Sequence, residues 1–417
     1  MADLGSPERE TPSFGRTLRN RPFLYLWASQ LVSQSGDFVF EVALLWLVLQ
    51  TTGSVLAVGL VVVATLVPTV VLGPFLGVLV DRWHRRRVLL VTNVGEGILV
   101  AALSGLVIAH ALNFVLLLVL VGVLAAGGQI VRIASGAMIP QSVPVADLGP
   151  ANGLFSLSSS FNQVVGLSIG GVVVAIFGAT LPIEYDAVSF FLAAVLVALI
   201  PRGVGAPERP AEKTESRFST EFREGLAFVR QQRFILEAIA LGIVANFFAN
   251  ALNALWAPYA ALVLHGGSET YGFLGAAVAL GAIVGAILAG QLNTRRAAGR
   301  YLFGSVAALG AAVLALGVTS SVAFALPASF ALGVFLALGN VPLLAAIQAK
   351  VPARLMGRVM AVLMALILAS APFGAYYAGA VAEAVGVGTV IRLSGLVILA
   401  VTAVGALVMR ELREVSY

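Results

Sequence analysis

Along the 417-residue chain, apolar runs of about twenty residues alternate with short polar breaks. The runs fall at 23–49, 54–80, 88–109, 114–138, 152–178, 182–200, 236–263, 271–292, 301–318, 322–347, 357–382 and 387–409. A helix needs about 20 mostly apolar residues to cross a hydrocarbon core about 30 Å thick, so each run predicts one membrane-spanning helix. The pattern therefore gives an all-α membrane protein with twelve transmembrane helices.

Polar residues inside these runs follow helical spacing. In span 1, Gln30, Gln34, Asp37 and Glu41 stand at i, i+4, i+7 and i+11, which is one face of a helix. Asp37 lies 14 residues after Phe23, or about 21 Å along the axis, near the bilayer midplane. A carboxylate facing acyl chains there costs several kcal/mol, so the stripe predicts a protein-enclosed cavity reached by water. Two acids one turn apart repel, and desolvation disfavours charge on either. The pair is expected to retain a proton near neutral pH and to titrate as a unit, as a proton carrier would. The structural alternatives are that Asp37 caps an unwound stretch at Ser35-Gly36 and that Glu41 reaches outside water.

Span 7 repeats the spacing with amides. Asn246, Asn250 and Asn253 stand at i, i+4 and i+7, followed by Trp256. A shift of 209 positions lays Asp37 on Asn246 and Glu41 on Asn250, which predicts proton exchange on one half and substrate contacts on the other. Such amides also serve simply to join helices. Gln129 and Arg132 of span 4 and Tyr376 of span 11 complete the candidate cavity. Arg132 is 18 residues beyond Phe114, or about 27 Å, toward the cytoplasmic end. It requires an anionic partner among Asp37, Glu41, Glu96, Asp81 or the substrate, unless it snorkels to headgroups. Glu184, Asp186, Glu383 and Arg392 fall near outer ends and read as interfacial.

Charge orients the spans. Cations precede span 1 (Arg9, Arg16, Arg19, Arg21) and occupy the links after even-numbered spans, with Arg82, Arg85, Arg86 and Arg87, then Arg295, Arg296 and Arg300, then Lys350, Arg354 and Arg358. The odd-to-even links hold no Lys or Arg. By the positive-inside rule both termini are expected in the cytoplasm. The expected organisation is a cytoplasmic segment 1–22, a six-helix bundle 23–200, a linker 201–235 containing an amphipathic helix, a second bundle 236–409 and a tail 410–417. The first 22 residues are polar and lack an apolar core of their own, so span 1 is expected to serve as the insertion signal.

The halves repeat. A shift of 213 lays Gly77–Arg82 on Gly290–Arg295, and one of 208 lays Val143-Pro144 on Val351-Pro352, Gly166 on Gly374, Gly171 on Gly379 and Gly178 on Gly386. Two landmarks with nearly one offset indicate two pseudo-symmetric six-helix bundles.

Composition removes several function classes. The chain is 59% hydrophobic and 11% charged, outside the range of soluble domains. Cysteine is absent, which excludes thiol catalysis, disulfides and thiolate metal sites, and the three histidines are scattered over loops. The net charge of +5 is accounted for by the basic links, so no nucleic-acid partner is expected. There is no phosphate-binding G-x4-G-K-[ST] loop and no nucleophile–base constellation, so neither ATP use nor an enzyme is expected. No cofactor is called for; a proton gradient would supply the drive.

The link GVLVDRWHRRR, with Gly77, Asp81, Arg82, Arg85 and Arg86 in place, resembles the helix 2–3 signature of the major facilitator superfamily; His84 stands where that signature has glycine. Gly153, Gly166, Gly170 and Gly171 resemble its helix-5 antiporter signature, with Asn162 and Leu167 in place of a glycine and the proline. The stretches from Arg21 to Val61 and from Ile139 to Gly166 are similar to the macrolide-efflux and enterobactin-exporter branch. The resemblance implies the major facilitator fold and alternating access about a cavity lined by spans 1, 4, 7 and 10, with spans 3, 6, 9 and 12 outside. It implies a cytoplasmic latch in which Asp81 faces the start of span 11 near Met356–Val359, where a helix N-terminus attracts a carboxylate. The expected function is proton-coupled export of amphipathic small molecules such as drugs, macrolides or siderophores. The expected setting is a monomer among the lipids of a bacterial inner membrane. A lysophospholipid translocator of the same fold and an uncoupled facilitator remain open beside it.

Overall fold

The computed structural model describes residues 14–206, 217–291 and 297–415. Arg9, the linker segment 207–216 and the repeat landmark with Arg295 and Arg296 lie outside the described residues.

The chain forms α1 (Phe14–Arg19), α2 (Arg21–Thr52), α3 (Val55–Arg82), α4 (Arg85–Ile108), α5 (Phe114–Ser142), α6 (Leu148–Phe177) and α7 (Thr180–Ala198). After the linker come α8 (Arg217–Gln231), α9 (Arg233–Pro258), α10 (Ser268–Gln291), α11 (Ala298–Val318), α12 (Val322–Lys350), α13 (Ala353–Leu368), α14 (Ala371–Val385), α15 (Val387–Val408) and α16 (Arg410–Arg413). Among the described residues twelve helical spans are long and apolar enough to cross a membrane, with α13 and α14 together making one of them. Large apolar side chains such as Val115, Val119, Phe324 and Leu407 point outward, as a lipid-facing surface requires.

Local chemistry sets the helix ends. Gly53 adopts φ 65° and donates its N–H to Leu49 O, ending α2 in a left-handed cap. Ser54 then starts α3 by accepting from Ala57 N at 3.1 Å, so two residues suffice to reverse the chain. Span 11 departs from the single run predicted. It breaks at Ala369-Ser370, and Asn246 of α9 donates to Ile367 O at 2.9 Å and to Ser370 Oγ at 3.1 Å across the break. Span 7 ends in a wider π turn at Tyr259–Val263.

The packing is two-fold. In the first half α2 packs on α6 and α7, α3 on α5, and α4 on α5 and α7. In the second half α9 packs on α14 and α15, α10 on α12, and α11 on α12 and α15, which is the same scheme. The halves meet chiefly through α6 against α10 and α3 against α14.

Among the described residues three buried clusters reveal the shape. One joins both halves at the arginine-poor end, through residues such as Val42, Val58, Leu255, Leu274, Ala375 and Ala378. At the arginine-bearing end there are two, one within the first half (Phe23, Leu89, Met138) and one within the second (Ile235, Ile347, Val359). The halves are thus closed together at one end and apart at the other.

Candidate transport cavity

The polar face of α2 opens on a cavity of about 610 Å³. Gln30, Gln34, Asp37 and Glu41 all line it, so helical spacing alone located that wall. Asp37 is exposed to the cavity and Glu41 is half-buried in its wall. Most of the remaining lining is apolar, including Phe38, Leu44, Val121, Leu124 and Phe190.

Two further carboxylates share this cavity. Glu96 of α4 is 4% exposed and Asp186 of α7 is 1% exposed, and both line it. Glycines make room for them. A Cβ at Gly36 would stand 2.4 Å from Asp186 Oδ1, and one at Gly127 would stand 2.5 Å from Glu96 Oε1. The bare backbone of α2 and α5 therefore lets acids from α4 and α7 reach inward past the helices in front of them. This corrects the interfacial reading of Asp186. It also amends the expectation that spans 3 and 6 stay outside the cavity.

The acids are sparsely partnered. Ser189 Oγ donates to Asp186 O at 2.8 Å and approaches Asp186 Oδ1 at 3.4 Å. Among the described residues no partner is found for Glu96 Oε2, Gln30 Nε2 or Ser135 Oγ, all buried polar atoms of residues in the cavity wall. Buried polar atoms are normally hydrogen-bonded, so these three mark the wall as polar at those points. Gln129 and Arg132 line the cavity together, the guanidinium donating to Gln129 Oε1. The described residues contain no group of His, Cys, Asp and Glu arranged to hold a metal ion.

The second half contributes little in this conformation. Asn253 lines the cavity, whereas Asn246, Asn250, Trp256 and Tyr376 do not. The reasons are physical. Asn246 satisfies the backbone freed at the break in span 11, and Asn250 donates to Asn246 O at 2.8 Å. Trp256 is 7% exposed and packs edge-on against Tyr259. Tyr376 lies on α14, 53% exposed, outside the lining. The vestibule is thus carved mainly into the first half instead of being shared equally.

The arginine-rich link is ordered by helix ends. Arg86 donates from Nε to Ile200 O and from Nη2 to Ala198 O, both at 2.7 Å, covering carbonyls at the close of α7. His84 holds φ −70° at the start of α4, a conformation open to any residue, so glycine is not required there. Asp81 bonds Arg85 Nη2 at 3.4 Å with its side chain 67% exposed. Gly77 and Arg82 lie on the last turns of α3.

The helix-5 glycines are contact surfaces. A Cβ at Gly166 would meet Phe38 Cβ at 2.7 Å, and one at Gly170 would meet Val39 Cα at 3.0 Å, so both seat α6 on α2. At Gly171 it would meet Ser268 O at 2.6 Å, across the boundary between halves. Gly153 stands more loosely beside Phe14.

Comparisons with known proteins agree with this architecture. A family model described as transmembrane secretion effector matches residues 13–416. The chain is 30% identical over 223 residues to the multidrug efflux pump Tap of Mycobacterium tuberculosis, covering 52% of each. It is 23% identical over 238 residues to macrolide efflux protein A of Streptococcus pyogenes, covering 56% of this chain and 57% of that one. The chain spans about half the length of these curated relatives. A match to an uncharacterized MFS-type transporter of Bacillus subtilis, YvqJ, runs further, at 24% identity over 94% of this chain and 93% of that one. Among solved structures, a bacterial homologue of the human lysosomal transporter Spinster, captured inward-facing and occupied, superposes with a TM-score of 0.73 at 16% identity. That superposition covers 94% of this chain and 97% of the other. The D323A mutant of the nucleoside transporter NupG gives 0.71 at 10% identity over 96% and 100%. The fold, the packing scheme and the family match converge: this chain belongs to the transmembrane secretion effector family of the major facilitator superfamily.

Proposed function

We propose that the protein is a proton-coupled exporter of amphipathic small molecules, working by alternating access in a bacterial inner membrane with its arginine-bearing end in the cytoplasm. The observation that carries this reading is the cavity wall, an apolar surface holding the carboxylates of Asp37, Glu41, Glu96 and Asp186. Apolar walls suit the body of an amphipath. The acids suit exchange of protons against a polar or cationic group, since cargo and protons would compete for the same oxygens. With basic links inside, the parted halves make this an inward-open conformation, ready to take cargo from the cytoplasm or inner leaflet. Each proton moving inward would gain about 2.3 kcal/mol per 100 mV of membrane potential. Relatives named as a macrolide efflux protein and a multidrug efflux pump support the cargo class.

Uptake of dyes, macrolides, siderophores and lysolipids into inverted vesicles tests the proposal, with and without a pH gradient, for the parent and for Asp37→Asn and Glu41→Gln. Gradient-driven uptake in the parent that is lost in both variants is expected. Equal uptake in every condition would leave an uncoupled facilitator. Uptake of lysolipids alone would establish a lipid translocator instead.

A further inference from the structure

We propose that Glu383 is a gating residue, a carboxylate from the second half that holds the arginine-poor end shut by capping a helix of the first. The inference rests on the alternating-access reading above. Glu383 sits in the last turn of α14, and its Oε2 accepts from Val55 N at 2.7 Å, Leu56 N at 3.1 Å and Ser54 Oγ at 3.3 Å. These donors belong to the start of α3, 327 to 329 residues away in sequence.

A helix start has N–H groups with no partner inside the helix and a partial positive charge. In α3 the work is divided. Ser54 of the same chain segment caps Ala57 N, while Val55 N and Leu56 N are satisfied from the opposite half. The cap therefore exists only while α3 and α14 lie together at this end. Once the halves part there, both N–H groups turn to water and the carboxylate loses three partners at once.

The surroundings explain why one carboxylate can matter. The rest of this seam is close-packed backbone: a Cβ at Gly59 would stand 3.0 Å from Gly379 Cα, and one at Gly272 would stand 3.0 Å from Gly171 Cα. Such contacts are short-ranged and carry no charge. Among the described residues, the one other hydrogen bond found across the halves at this end is Ser268 Oγ to Gly171 O at 3.0 Å. Glu383 is thus a charged group whose hydrogen bonds cross the halves and differ between the closed and open arrangements, in a cleft that Arg392 also lines. A ligand or bond shifts such an equilibrium only by this difference.

Antiparallel packing makes the placement natural. Chain direction sets the C-terminal end of α14 beside the N-terminal end of α3. An acid in the last turn of one helix then lies on the positive end of the other, where it is favoured.

The absence of cysteine permits a direct test. Spin labels at Ala111→Cys and Ser320→Cys, exposed positions on opposite halves at the arginine-poor end, report the separation in liposomes by pulsed electron spectroscopy. Glu383→Ala is expected to raise the ratio of the long to the short distance about tenfold, as loss of one charge-assisted cap allows. Glu383→Gln, nearly the same shape, should give a smaller rise and guards against a misfolded alanine variant. Glu269→Gln removes an acid at the same end whose carboxylate accepts from Gly267 N in its own segment, and should leave the ratio unchanged. If the parent shows both distances and both Glu383 variants match it, the gating role is overturned while alternating access stands. If the parent shows a single distance under every pH and cargo condition, alternating access itself fails and the gating role falls with it.

Discussion

Replacing Gly272 by alanine should spring the arginine-poor end open. A Cβ at Gly272 would stand 2.3 Å from Leu167 O and 3.0 Å from Gly171 Cα. Both obstacles are backbone of α6, so no rotamer change relieves them. Ordinary contact begins near 3.4 Å, and α10 must retreat by about 1 Å, which overpacking data put at about 1–3 kcal/mol. That penalty falls only on the arrangement in which α6 and α10 touch at this end. At 1.4 kcal/mol per factor of ten, the closed-to-open ratio should fall by a factor of roughly 5 to 150. Fluorescence energy transfer between dyes at Ala111→Cys and Ser320→Cys reads the change as a loss of the high-transfer population. Gly290→Ala is the control on the same helix, since nothing lies within 4 Å of its added carbon. Unchanged transfer in Gly272→Ala, with the protein folded, would refute the idea that bare backbone contact holds this end together.

Two further substitutions separate structure from transport. Glu96→Gln keeps the shape of the side chain in the cavity wall and should lower gradient-driven uptake several-fold in inverted vesicles without changing thermal stability, because no hydrogen bond of Oε2 is lost. Arg16→Ala should instead cost stability: Arg16 Nε lies 3.1 Å from both oxygens of Asp147, a side chain only 4% exposed. Stranding that buried acid is worth about 3 kcal/mol, seen as a lower unfolding temperature in detergent and abolished in the Asp147→Asn background.

Much of this molecule could be read from residue order, and the failures share a cause. Helical spacing found the wall formed by Gln30, Gln34, Asp37 and Glu41, because a period of 3.6 is a local property. It did not find Asp186 or Glu96 as cavity residues, because their reach depends on glycines of other helices, Gly36 and Gly127. A usable signal was present: Asp186 and Ser189 stand at i, i+3, one face of α7, and a glycine lies beside Asp37 in the facing span. The asparagine stripe of span 7 was legible as a stripe but not in its role. Its first amide is spent on the carbonyl of Ile367 at a helix break that nothing in the apolar pattern of span 11 announces. Basic residues in alternate links gave each span its direction relative to the next; the parting of the halves at one end is a property of packing between α3, α6, α10 and α14, which hydrophobicity does not encode.

If the polar face of the first spanning helix looks into an aqueous cavity open toward the arginine-bearing end, a residue on that face is reachable by water from that end alone. Gln34 shares that face and leaves both acids intact when replaced. In a chain without other thiols, Gln34→Cys can be challenged with a membrane-impermeant thiol reagent from either side, in inverted and in right-side-out vesicles held without cargo. Fast labelling is expected in inverted vesicles, where the proposed cytoplasmic face is outside, and little in right-side-out ones. Labelling from neither side, as for a residue against acyl chains, or from the opposite side alone, would contradict that placement.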